Sequence, residues 1–230
     1  MNIEELKKEL KQKLISSFSK YSFERYIRRR RETEERFFQA LSKIFEGKLE
    51  IYSVSEIIKC KKQVMIERNL VKNSEDFERY CFKPSMIFGD AIEERVLDLL
   101  GLKKGYFTFK IIDYFDKRLI ITGSCDAIDD NYVYEIKAKT REPEPTPLMI
   151  MQCRLYAWLY NKPKCVLIIV SPKSIDVEVY DAYKDIDVYD ILMKWSSPRW
   201  DFECRFCSYK ESCDERKDIL RYLQDFENFL

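Results

Sequence analysis

Asp126 and, nine residues on, Glu135-Ile136-Lys137 are the residues of this 230-residue chain whose types and spacing best support chemistry. Side chains alternate along a strand, so Glu135 and Lys137 share one face while Ile136 packs behind. The Asp129-Asp130-Asn131 turn is expected to fold Asp126 back beside them. Two carboxylates and an ammonium on one face can hold Mg²⁺ and cut phosphodiesters. A hard divalent cation takes carboxylate oxygens, and the lysine orients the attacking water or balances charge in the transition state. Glu-x-Lys also occurs on many solvated strands without such a role, so the spacing needs support from its surroundings.

A second pattern is Cys204-Arg205-Phe206-Cys207, five residues and then Cys213. Close thiolates without a secretory signal suit a metal or cluster better than disulfides. Three ligands need a fourth, and Cys60 is the expected one. Cys81 falls in an expected loop, Cys125 alternates away from Asp126 toward the core, and Cys153 and Cys165 lie in apolar segments. A clip from Cys60 closes a loop of about 140 residues, worth roughly 4 to 5 kcal/mol by analogy with a long disulfide. Four thiolates suit Zn²⁺ or an iron–sulfur cluster, and spacing does not choose; the plain alternative is three free thiols, buried or at the surface. Trp195, Trp200, Phe202 and Phe206 crowd this segment and are expected to shield it from water rather than to stack on bases, though a single-strand groove could use one or two of them.

The elements that must position these residues can be read from periodicity. Leu6, Leu10, Leu14 and Phe18 have helical spacing, and residues 26–45 continue helical with Arg28, Arg29, Arg30 and Arg31 in their middle. That arginine run reads as a solvated face or as a phosphate-binding track. Ser53-Val54-Ser55-Glu56 has capping-box spacing and predicts a helix through Ile58 and Met65 that carries Cys60. Residues 72–83 read as a polar loop. Pro84 opens a helix through Gly89, Ile92, Glu93 and Val96, stopped by Gly101.

Residues 106–115, 118–128 and 132–139 read as an antiparallel meander. The run Arg141-Glu142-Pro143-Glu144-Pro145-Thr146-Pro147 breaks the chain before a helix over 148–160. Gln152 and Tyr156, four apart on that helix, share a face from which they could touch a DNA backbone or orient the lysine, or simply satisfy local hydrogen bonds. Strands over 166–170 and 175–180, a helix over 185–195, the cysteine segment and a last helix to Leu230 follow. The order predicts an α/β fold with a mixed sheet flanked by helices. Residues 1–50 form an N-terminal helical arm, 51–198 the core, and 199–230 the cysteine segment with a terminal helix packed on it.

Composition limits the partners. The chain is 46% apolar, enough for a sizeable core, and 41 basic against 40 acidic residues leave a net charge of +1. Any nucleic-acid site must therefore be local, and a polybasic membrane anchor is not expected. No apolar run reaches membrane-spanning length, and the charged start lacks the apolar middle of a signal peptide, so a cytoplasmic protein is expected. The absence of histidine, with abundant Lys and Glu, suits a thermophile.

In order, Cys60, Gly89-x-x-x-Glu93, Asp126, Glu135-x-Lys137, Gln152-x-x-x-Tyr156 and the terminal cysteines resemble RecB-like PD-(D/E)XK nucleases with an iron–sulfur cluster, most of all CRISPR-associated exonucleases of the Cas-four type. The resemblance runs from about Ser53 to Asp214. It implies a restriction-endonuclease-like core and a [4Fe-4S] cluster on Cys60, Cys204, Cys207 and Cys213. It implies Mg²⁺- or Mn²⁺-dependent DNA cleavage, commonly exonuclease action on single strands, that trims DNA for spacer acquisition, and it implies an integrase complex as partner. The metal would lie between Asp126, Glu135, the backbone carbonyl of Ile136 and Glu93, with Lys137, Gln152 and Tyr156 completing the catalytic set. Many relatives carry histidine where this chain has Glu93, a harder ligand that favours Mg²⁺. Glu93 and Glu94 read alternatively as the solvated face of a helix. Two other functions fit the same residues: a non-catalytic DNA-binding subunit of an integration complex, and a recombination or repair nuclease, viral ones included, outside CRISPR.

Overall fold

The described residues build two mixed sheets where the strand pattern suggests one. The computed structural model describes residues 3–41, 48–71, 73–115, 117–140, 144–210 and 213. In chain order the elements are α1 (Ile3–Leu41), β1 (Lys48–Ser53), α2 (Val54–Ile57), α3 (Lys61–Leu70), α4 (Ser74–Tyr80) and α5 (Ser85–Leu100). They continue with β2 (Lys103–Lys104), β3 (Thr108–Tyr114), β4 (Lys117–Gly123), β5 (Ala127–Ile128), β6 (Tyr132–Ala138) and α6 (Pro147–Leu159). The last are β7 (Lys164–Val170), β8 (Ile175–Asp181), α7 (Asp185–Met193) and α8 (Glu203–Phe206). The side chains of Arg29, Arg30 and Arg31, part of the proline-rich link (141–143) and the terminal helix expected to Leu230 lie outside the described residues.

One sheet has the order β1-β4-β3, with β1 parallel and β3 antiparallel to β4. The other has the order β2-β5-β6-β7-β8, in which only β6 and β7 run parallel. The strand expected over 118–128 divides at Gly123, which sends its two halves to different sheets and splits the meander. Loop partners take the backbone at the division. The Cys125 N–H donates to the Tyr160 hydroxyl (3.2 Å), and the Asp126 carbonyl accepts from the Gly105 N–H (3.2 Å), so neither group enters a ladder.

Helix α6 is buried along Cys153, Leu155, Tyr156, Ala157, Trp158 and Leu159, in one core with Leu119, Ile121, Val133, Leu167 and Ile169. Helix α5 covers the other face of the larger sheet, where Leu97 meets Ala127, Ile136, Val166 and Ile168. The functional strand β6 thus lies between two helices, and its alternation decides which helix each side chain meets. Gly101, left-handed at φ 62°, ends α5 as its sequence suggests.

Two further expectations fail for tertiary reasons. The helix expected to run unbroken through Cys60 is two helices with a break at Ile58–Cys60. The carbonyls freed at the break accept bonds from the side chains of Arg199 (to Ile57, 2.7 Å), Trp200 (to Ile58, 2.9 Å) and Trp195 (to Lys59, 2.8 Å). The loop expected over 72–83 contains α4. Asn73 caps it by accepting from the Asp76 N–H (2.8 Å), and Phe77 is buried against the rings of Phe23 and Tyr26 on α1. No helix among the described residues is long and apolar enough to cross a membrane.

Candidate active site

Strand β6 sets the site by its two edges. Its even residues bond toward β5: the Asp129 N–H donates to the Tyr132 carbonyl (3.0 Å), and Ala127 pairs with Tyr134. Past Tyr134 no strand among the described residues pairs with that edge, and Asp126 fills the gap: the Ile136 N–H donates to its carboxylate (2.7 Å). In a strand the N–H and C=O of one residue point the same way, so the Ile136 carbonyl lies on this open edge too. The turn forms as its sequence suggests, with Asp129 accepting from the N–H groups of Asn131 and Tyr132 (both 2.7 Å).

Glu135 and Lys137 share the face toward α6, and the Lys137 ammonium bonds the Glu135 carboxylate while standing 4.0 Å from Asp126. Ile136 packs behind them against α5. Glu135 is 1% exposed, and its Oε2 is buried without a hydrogen-bond partner among the described residues. Burial, then the Asp126 charge, push the Glu135 carboxyl up to about 8 against the pull of Lys137. Burial works against the Lys137 ammonium, but Glu135, Asp126 and Glu93 outweigh it and raise its pKa.

Glu93 joins this cluster from α5. Its side chain is mostly buried, 3.7 Å from the Lys104 ammonium. Burial and then Asp126 raise its pKa, while Lys104 and Arg25 act against them. Of the pair read alternatively as a solvated face, Glu94 is exposed and Glu93 is not. Tyr156 is buried on α6. Its phenol is raised well above the usual range by burial and then by Glu135 and Asp126, with Gln152 as a hydrogen-bonding neighbour. The structure therefore brings Glu93, Asp126, Glu135, Lys137 and Tyr156 together, with Gln152 against the phenol.

The orphaned Glu135 oxygen, the Asp126 and Glu93 carboxylates and a backbone carbonyl are hard oxygen donors of the kind that Mg²⁺ or Mn²⁺ takes, although among the described residues no three acidic or cysteine side chains are drawn together closely enough to form a ready-made metal cage. Gly105 is a residue of the site that sequence reasoning missed. A Cβ there would lie 2.2 Å from the Cys125 carbonyl oxygen and 2.5 Å from its Sγ, so only glycine lets this segment pass beneath Asp126. Gly105→Ala is expected to shift Asp126, costing about 1–3 kcal/mol of stability and about tenfold or more in any activity of the site, read by thermal melting and initial rates. The sequence signal was a glycine just before a strand in a chain with only 5.

The four expected cysteines meet at a second place. Cys60, Cys204, Cys207 and Cys213 line one pocket with Gln63, Ile66, Glu203, Tyr209 and Lys210. Burial raises the Cys207 thiol, and the Tyr209 N–H, donating to its Sγ (3.4 Å), is outweighed by burial together with the three other cysteines. Four thiols lining one pocket have the chemistry that a tetrahedral metal or a cluster takes, though they are not drawn together into a ready-made metal cage. Buried Glu203 holds the pocket's frame by accepting from the backbone N–H groups of Cys60 (2.7 Å), Arg199 (2.8 Å) and Trp200 (3.0 Å). Nothing in the spacing marked Glu203. Trp195 and Trp200, expected as a shield, instead brace the break before Cys60, and Phe206 is 68% exposed. Cys125, Cys153 and Cys165 are buried away from the pocket, and Cys81 stands 3.5 Å from the Tyr209 hydroxyl.

No protein-family model matches the chain. It is 28% identical over 179 residues to the CRISPR-associated exonuclease Cas4 of Saccharolobus solfataricus, across 70% of this chain and 85% of that protein. An alkaline exonuclease from Laribacter hongkongensis, LHK-Exo, aligns over 77% of this chain and 93% of its own at 12% identity, with a TM-score of 0.39 too low to carry an argument. The crystal structure of SSO0001 superposes with a TM-score of 0.63 at 23% identity, over 80% of this chain and 94% of that one. The protein therefore shares the fold of SSO0001 and is similar over most of its length to an exonuclease of the CRISPR-associated Cas4 type.

Proposed function

We propose that the protein is a metal-dependent DNA exonuclease with a PD-(D/E)XK core, acting on single strands and trimming DNA for CRISPR spacer acquisition alongside an integrase complex. The observation that carries this reading is the Asp126 carboxylate bonded to the Ile136 N–H, which puts it beside the orphaned Glu135 oxygen and the Lys137 ammonium. The 28% identity to a CRISPR-associated exonuclease supports the substrate class.

Asp126, Glu135, Glu93 and the Ile136 carbonyl would hold one or two Mg²⁺ or Mn²⁺. Such an ion supplies an acidified water as nucleophile and absorbs negative charge as it builds on the phosphate. The chain's own residues do the rest. Lys137, kept charged by three carboxylates, faces the phosphate oxygens and stabilises the charge that grows on them. Glu93 stands where many relatives of the resembled family carry histidine and supplies a third carboxylate at Asp126, so no histidine base is needed. Tyr156, kept a neutral donor by its raised pKa, and Gln152 steady the Glu135 face. The cysteine pocket would hold a [4Fe-4S] cluster on Cys60, Cys204, Cys207 and Cys213. Its role is structural, because it ties the α2–α3 break to the C-terminal segment.

The test is an anaerobic preparation assayed for iron and then for digestion of end-labelled single- and double-stranded DNA with Mg²⁺ or Mn²⁺. Four irons per chain, as the cluster requires, and metal-dependent shortening of single strands are expected. Lys137→Ala is expected to slow cutting by about 10²–10³-fold with folding intact. Iron without cutting under either metal would replace this reading with that of a DNA-binding assembly subunit.

A further inference from the structure

Two cations brought by other elements stand beside carboxylates of α5 at the candidate active site. Lys137 is built into β6, but Lys104 comes from β2 and stands 3.7 Å from Glu93 with 57% of its side chain exposed. Arg25 comes from the N-terminal helix α1. Its Nη1 reaches Asp90 of α5 at 2.8 Å, and its charge acts on Glu93, three residues further along the same helix. Helix α1 is held in this place from behind, where Phe23 and Tyr26 pack on Phe77 of α4. Arg25 is therefore the point at which the arm meets the site.

Charge counting gives these cations a task. Once the Glu135 proton is displaced, Asp90, Glu93, Asp126 and Glu135 oppose Arg25, Lys104 and Lys137, one negative charge in excess. A divalent cation among the carboxylates reverses that sign, and the group is then short of anions. A nucleic-acid backbone brings them, at one charge per phosphate. Arg25 suits a non-bridging phosphate pair because its planar fork can donate two parallel bonds. Lys104, exposed at the rim, adds a point charge.

Resting on the nuclease reading, we infer that Arg25 of α1, assisted by Lys104, binds a substrate phosphate next to the scissile position, so the N-terminal helix is part of the substrate site. The arm is then a wall of the nucleic-acid path, not only a support for α4. Asp90 holds the guanidinium in place until the phosphate arrives.

Binding of fluorescent single-stranded DNA, with Ca²⁺ in place of Mg²⁺, is measured against salt by anisotropy for the wild type, Arg25→Gln, Arg25→Lys and Asp90→Asn. Arg25→Gln is expected to weaken binding about tenfold and to flatten the slope of log affinity against log salt by about 0.7, the loss of one phosphate contact on a single strand. Arg25→Lys restores the slope. Asp90→Asn breaks the same ion pair yet keeps the cation, and it is expected to bind DNA at least as tightly as the wild type. The inference is overturned if Arg25→Gln keeps the wild-type slope, or if Asp90→Asn loses as much as Arg25→Gln, since the pair would then only anchor α1. A protein that binds DNA with these differences but degrades none under Mg²⁺ or Mn²⁺ would uphold the phosphate site and refute the hydrolytic reading.

Discussion

Glu135→Gln is expected to lower metal-dependent DNA degradation by about 10³-fold or more while the protein still folds. The amide keeps the volume of the carboxylate in a site where Glu135 is 1% exposed, so packing against α6 survives. What it removes is the charge on Oε2, the buried oxygen without a partner. A hard cation bound there loses an anionic ligand, and Lys137 loses the carboxylate that holds it in line. The reagent for this prediction is the cation itself. Folding raises the Glu135 carboxyl from its ordinary 4.5 to about 8, so the ion-free native state holds a proton that the unfolded chain gives up. The stability contributed by that proton is fully present below about 4.5 and is lost as pH rises toward 8. A divalent cation competes with the same proton, so its stabilisation grows over that window.

Thermal melting of the wild type is thus expected to rise on adding Mg²⁺, by more at about pH 8.5 than at about pH 6. In Glu135→Gln both the rise and its pH dependence should shrink sharply, to what Glu93 and Asp126 alone supply. A variant that cuts at the wild-type rate, or melts with the same response to Mg²⁺, removes Glu135 from the site.

Cys207→Ser is the other large effect. It should lose the iron and its visible absorption, with several kcal/mol of stability, because metal binding to a thiolate site counts toward folding free energy. Cys207 sits among three other cysteines that disfavour its thiolate, a crowding that a bound cation relieves. The pocket also joins distant parts of the chain. Cys60 opens α3, the other three cysteines of the pocket lie beyond residue 200, and Glu203 already fixes the Cys60 N–H at 2.7 Å. Breaking the site releases that clip along with the metal.

Cys81→Ser is the matched control, since Cys81 is near Tyr209 but does not line the pocket. It is expected to keep its iron and its melting temperature within a few degrees, about what a surface-like change costs. Retained iron in Cys207→Ser, or lost iron in Cys81→Ser, would overturn the ligand assignment. Zinc in place of iron in the wild type would keep the four ligands and discard the cluster.

The two sites are physically separate in their demands. One gathers hard oxygens around strand β6, and the other gathers thiols around the start of α3. Lys137→Ala should leave the iron in place, whereas Cys207→Ser should reduce cutting only through loss of the fold.

Local rules determined a good part of this protein from sequence alone. Alternation put Glu135 and Lys137 on one face, the Asp129 turn brought the chain back, and proline and glycine bounded α5 and α6. Each of these depends on residues within one turn or one strand, which is why each is legible. The tight spacing of Cys204, Cys207 and Cys213 was legible for the same reason, and Cys60 could be found by the poor fit of every other cysteine.

Tertiary structure decided what depends on partners far along the chain. The strand over 118–128 divides because Tyr160 and Gly105 take the backbone bonds of Cys125 and Asp126, and neither partner is a sequence neighbour. The helix carrying Cys60 breaks because side chains of Trp195, Arg199 and Trp200 replace its lost hydrogen bonds, and a local helix signal cannot register them. The polar stretch around Phe77 becomes α4 because α1 supplies rings to bury that one side chain. Glu93 shows the division most plainly: periodicity gives Glu93 and Glu94 the same helix, and only the packing of α5 on β6 turns one toward Asp126 and the other toward water.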